Sequence, residues 1–180
     1  MLGAIFFSTR FVRMATLILW SACIVQGFSH VALADARMDS LLRFASINKP
    51  DSLTIKALNS VCRFDSWSMN NMKDVKDAAL LAYNQSQKIN YETGVAEATT
   101  TLASISNFKG DYSEALAYYA KALANYKRTG DTLSLAIIYN SIGVVYKNQG
   151  SYPVALRYYF NALKLFEVFA NQKGIANCYN

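Results

Sequence analysis

Side chains able to act as base, nucleophile or metal ligand are few in this chain, and they stand far apart. The single histidine is His30 and the cysteines are Cys23, Cys62 and Cys178, whereas proton transfer and metal binding need such groups converging on one point. Glu97, Glu114 and Glu167 fall on unrelated helix faces or caps, so spacing motivates no carboxylate pair for acid–base work. His30 lies in a leader expected to be removed, which leaves no imidazole for a triad or a metal site. An enzyme is the least supported class, and no metal or cofactor is expected. What does recur at regular intervals is tyrosine and asparagine set among alanine and glycine, which is the chemistry of packing and hydrogen bonding.

The interval is 40 residues. At that offset Gly110 meets Gly150, Tyr112 meets Tyr152, Ala115 meets Ala155, Tyr119 meets Tyr159, and Ala122-Leu123 meets Ala162-Leu163. Ala96, Ala136 and Ala176 form a further series, as do Gly94, Ser134 and Gly174. Within a period the apolar residues return every three or four positions, as in Ala115, Tyr119, Ala122 and Tyr126, which marks one face of a helix. Gly110-Asp111, Gly130-Asp131 and Gly150-Ser151 supply a left-handed stop followed by a capping residue. Asp111 with Glu114 has the form of a capping box, and Pro153 suits the first turn of its helix. The pattern predicts helices near residues 95–108, 113–128, 135–148 and 153–170. Ala103 or Gly143, opposite Ala115 or Ala155, would let paired helices cross closely beside large tyrosines.

The flanks read differently. Over residues 1–34, Arg10 and Arg13 precede an apolar run that closes on Ala32-Leu33-Ala34, the grammar of a secretory signal with cleavage after Ala34. Met14 is an alternative start, Cys23 an alternative lipidation site, and an uncleaved membrane anchor the remaining alternative. Residues 35–54 form a lead-in: an amphipathic helix over 38–45, then an Asn48-Lys49-Pro50-Asp51 turn. Residues 55–91 read as a degenerate repeat in which Val75, Ala79 and Ala82 take the places of Ala115, Tyr119 and Ala122. Arg63 falls where Ala103 and Gly143 do, so a looser pair with a polar outer face is expected there. Full repeats span 92–131 and 132–172. Residues 173–180 copy the opening of a further unit, which implies a longer protein. After residue 34 the chain carries 16 basic and 12 acidic side chains with one adjacent basic pair, Lys127-Arg128, too scattered for a nucleic-acid face.

These residues resemble the tetratricopeptide repeat family. Tyr139, Ile142, Gly143 and Tyr146, then Ala155, Tyr159 and Ala162, follow its pattern; Thr99, Leu102, Ala103 and Ser106, then Ala115, Tyr119 and Ala122, follow it one unit earlier. The period is longer than the family's usual one of roughly 34 residues, as in its extended variants. The resemblance implies an all-α fold, an α-solenoid of stacked antiparallel helix pairs after the signal segment. It also implies a concave groove lined by the first helix of each pair, which holds a peptide or a partner helix. Carrying the family's groove positions across gives Glu97, Thr100, Ser104, Asn107 and Phe108 from one unit, Ile137, Asn140, Val144, Lys147 and Asn148 from the next, and Asn177 and Asn180 from the last. The amides would bond a peptide backbone, Lys147 would attract a carboxylate, and Phe108 or Val144 would meet an apolar side chain. The lysine–asparagine set of the family's carboxylate-clamp members is not reproduced.

The expected function is a protein-interaction scaffold with a protein or peptide partner. Nucleic acid is not expected, and contact with membrane arises only through an uncleaved leader or sequence past residue 180. The expected location is exported, periplasmic or membrane-associated. The alternative function is the sensory region of a longer membrane signalling protein of the sensor kinase type, since units reading Gly-Ile-Ala-Asn-x-Tyr-Asn are similar to those in such proteins.

Overall fold

The structure, a computed structural model, describes residues 30–62 and 72–179. The chain divides into two compact units, Met1–Asp39 and Ser40–Asn180; the second holds the repeats and all the packing that follows. The calls on residues 1–29, Cys23 among them, and on Arg63 and Asn180 lie outside the described residues.

Eight helices and no strand make up the described residues: α1 (His30–Ile47), α2 (Ser52–Val61), α3 (Met72–Lys88), α4 (Glu92–Lys109), α5 (Tyr112–Thr129), α6 (Thr132–Asn148), α7 (Tyr152–Val168) and α8 (Gln172–Tyr179). The stops recur every twentieth residue. Asn90, Gly110, Gly130, Gly150 and Ala170 all have left-handed backbones, with φ of 53°, 82°, 73°, 76° and 48°. In each turn the next N–H reaches back to a carbonyl five residues earlier, as from Asp111 to Ser106 at 2.8 Å and from Asn171 to Phe166 at 2.9 Å. That bond satisfies one of the carbonyls a helix end leaves open. Side-chain caps fall on a 40-residue register that skips Tyr91, which makes none: Asp51, Asp131 and Asn171 each accept a backbone N–H three positions on, at 2.9, 3.0 and 2.8 Å.

The expected capping box is not formed. Asp111 makes no side-chain cap bond; its own N–H, which Glu114 would accept in such a box, goes to Ser106 O at 2.8 Å, and the Glu114 carboxylate accepts the hydroxyl of Ser106 at 2.8 Å. Ser106 stands where the next repeat has Tyr146, so the carboxylate satisfies a small buried hydroxyl at a position filled elsewhere by a ring.

Helices pack on their neighbours in sequence, most closely α4 on α5 and α6 on α7. The first helices also touch in series, α2 with α4, α4 with α6 and α6 with α8. That quasi-one-dimensional contact pattern is an α-solenoid of antiparallel pairs. Its core is small residues beside rings: Ala96, Ala103, Ala115 and Ala122 with Tyr119 and Tyr126, closed from α6 by Ile138, Ile142 and Val145. Gly143 has a different neighbour from the one expected. A Cβ built there would sit 2.6 Å from Tyr159 Cε1, so the missing side chain makes room for that ring rather than for a close approach to Ala155. In α3, Val75, Ala78, Ala79 and Ala82 are wholly buried, and Gln85 Nε2 donates to Ala45 O at 2.6 Å, tying the lead-in helix to the stack.

Candidate binding groove

Because the first helices lie side by side, residues at i, i+3/i+4 and i+7 on each of them share one surface. That surface is a groove of about 1350 Å³. Glu97, Thr100, Ser104, Asn107 and Phe108 line it from α4, Ile137, Asn140, Val144 and Asn148 from α6, and Asn177 from α8.

Lys147 is the exception and stands exposed outside the lining. Its position follows a different rule. Lys88, Lys109, Lys127 and Lys147 all fall in the last turn of their helices, where a cation faces the negative end of the helix dipole. The role assigned to Lys147, drawing in a carboxylate, would therefore have to act from outside the groove lining.

Several lining residues escaped the sequence reading. α2 contributes Lys56, Asn59 and Ser60. The signal was present for Ser60, which lies 40 residues before Thr100 and 80 before Asn140. Ser141 and Thr101 are the next positions around their helices. Tyr119 and Tyr126 reach the groove from α5; their alanine-flanked helical spacing marks them as core, which they also are.

The polar groups of the groove are tied across the stack. Asn59 Nδ2 donates to Glu97 Oε2 at 2.9 Å, Asn148 Nδ2 to Asn107 Oδ1 at 3.2 Å, and the Cys178 thiol to Asn140 Oδ1 at 3.6 Å. Each contact joins one first helix to the next, so these side chains fix the spacing of the groove walls as well as lining them. Tyr119 is almost fully buried, and its hydroxyl lies 2.9 Å from Ser104 Oγ. Burial raises its pKa, partly offset by the hydroxyls of Ser104 and Ser141. Burial likewise pushes Tyr126 up to about 12, against hydrogen bonding from Thr100. Both phenols stay neutral at physiological pH.

Cys62 is buried, with its thiol donating to Val75 O at 3.6 Å and its pKa pushed up to about 12 by desolvation. A thiol held protonated in this way behaves as a small apolar residue rather than a nucleophile. Glu114 lies on Ser106 and Glu97 on Asn59, so the acidic groups serve separate local contacts. Apolar side chains remain open to solvent: Phe108 is 54% exposed and Ile137 46%.

A family model described as tetratricopeptide repeat matches residues 94–179. Comparison with curated proteins gave no match.

Proposed function

The chain carries tetratricopeptide repeats over residues 94–179, generally protein-interaction modules and typically without catalysis, and from that premise we propose that it is a scaffold whose groove holds a segment of a protein partner. The observation that carries this reading is the convergence of α2, α4, α6 and α8 on one continuous surface. Half-exposed apolar side chains there alternate with amides and hydroxyls, the mixture that gives a peptide site both contact area and orientation. Val144 lines the groove from the C-terminal half of α6, so Val144→Arg should abolish recovery of the partner from the cells that make this protein while leaving its melting temperature within a few degrees. Undiminished recovery would place the interaction on another face.

The setting we assign is outside the cytoplasm, supported by the basic flank, apolar run and small-residue exit of residues 1–34. None of the described helices is long and apolar enough to cross a membrane. A mature N-terminus at Asp35 on Edman sequencing would agree with the assignment; recovery of the chain in the cytoplasmic fraction with Met1 intact would overturn it.

A further inference from the structure

A second, smaller hollow lies on the side of α4 turned away from the groove. It is a slot of about 480 Å³ floored by Val95 and Thr99 of α4, with Tyr83 and Gln87 of α3 on one side and Lys121, Asn125 and Arg128 of α5 on the other. At about 100° of turn per residue, Glu97 and Ser104, which line the groove, stand roughly opposite Val95. The slot shares no lining residue with the groove.

One unit later the same positions are apolar and packed. Forty residues on from Tyr83, Val95, Thr99 and Asn125 stand Leu123, Leu135, Tyr139 and Leu165, all half-buried against core clusters. The Tyr139 ring lies 6.3 Å from that of Tyr158. In the earlier unit threonine stands in for that ring and leaves a hollow with polar walls. Departures from a chain's own packing pattern, gathered at one spot, are where function is expected.

The polar groups there leave one positive charge in excess. Lys121 and Arg128 are set against a single carboxylate, Glu92. Arg128 is tied down, donating to Glu92 Oε1 and, at 3.0 Å, to Asn125 Oδ1. Asn125 Nδ2 in turn donates to Lys121 O at 3.0 Å, and Thr99 gives its hydrogen to Val95 O at 2.8 Å. Lys121 has no ion-pair partner among the described residues; its ammonium lies 5.7 Å from the centroid of the Tyr118 ring, which attracts it. The Tyr83 hydroxyl accepts from Gln87 Nε2 at 2.9 Å, so its own hydrogen is left to give. The amides of Gln87 and Asn90 can each give or accept.

Charge then selects the ligand. One carboxylate balances the excess, whereas a phosphate dianion adds repulsion from Glu92 and an organic cation repeats the charge of Lys121. Val95 and the exposed Ala124 offer an apolar body a place to rest. The volume falls in the range of small-molecule sites, about 300–1,000 Å³. We propose that this slot is a second binding site, separate from the groove, for a small organic acid. Its carboxylate takes the Lys121 ammonium and the Tyr83 hydroxyl, and its apolar body lies on Val95 and Ala124.

Small carboxylic acids, each paired with its primary amide, are screened against the full chain by saturation-transfer NMR, and affinities of the hits are measured by titration. The acids should bind more tightly than their amides and weaken as salt rises. They should lose about three- to tenfold in affinity on Lys121→Gln and on Tyr83→Phe, the size of one hydrogen bond, and lose nothing on Val144→Arg in the groove. Thermal melting checks that each variant is folded; should Tyr83→Phe not be, Lys121→Gln and Lys121→Glu decide. If no acid shows an affinity that depends on Lys121, or if acids and amides bind alike, the proposal falls. Tighter binding of phenyl phosphate than of benzoate would also overturn it, as would an acetylated peptide amide with one glutamate that outbinds every free acid. None of these results touches the groove reading, which is judged by partner recovery on Val144→Arg.

Discussion

Ala170 occupies, at the end of α7, the left-handed position that glycine holds at Gly110, Gly130 and Gly150. With a side chain, that backbone costs about 1–2 kcal/mol, and a glycine's extra freedom in the unfolded chain returns part of it. Ala170→Gly should therefore raise stability by about 0.5–1 kcal/mol in urea denaturation, and an unchanged midpoint would argue against the left-handed turn. Tyr126 makes the second prediction at this scale. Its folded pKa, about 12, lies above the ordinary tyrosine value of 10.0, so between these values the folded state keeps a proton that the unfolded state has lost. The stability this contributes is fully present below pH 10 and disappears as pH rises through about 12. Tyr126→Phe should flatten the alkaline fall in melting temperature over that window, and an identical slope would contradict the burial. Residue-level detail was only partly legible in the sequence. The glycine stops were plain, because few other residues suit that backbone. Glu114 was misread, since a capping box and a bond to Ser106 draw on the same carboxylate and only the packed pair of helices decides between them.

The crossing of α6 and α7 turns on Gly143 and the ring of Tyr159. Gly143→Leu overfills that space and should cost about 1–3 kcal/mol. Adding Tyr159→Ala should recover part of the loss, because it removes the atoms that clash; strictly additive effects on thermal melting would show that the two positions do not meet. Helix existence and pairing could be read from the 40-residue period, since small and bulky residues repeat only where the same crossing repeats. Which small residue opposes which ring could not, because offsets along a helix leave the partner's rotation free. The same limit explains Lys147. Its spacing from Asn140 is two helical turns, which suits a groove position, yet its place in the last turn of α6 suits the helix dipole equally well.

Across the solenoid, one repeat position has different surroundings at different points in the stack. Tyr112 and Leu116 of α5 are half-buried against the core that α6 completes, while Tyr152 and Leu156 at the matching positions of α7 are more than half exposed. The period could show where the groove runs because each unit adds the same face, and it extended to Ser60 even where residue identity had faded. It could not show which hydroxyls on that face bond back to their own helix, as Thr100 does to Ala96 O and Ser141 to Ile137 O, since this depends on rotamers. The central claim, that the partner is held by the face of the first helices, is tested most directly by site-specific photo-crosslinking in the cells that make the protein. A photoreactive side chain at Val144, in the groove, should capture a partner chain, and one at the exposed Phe160 on α7 should not. Capture from position 160 and none from position 144 would contradict the claim.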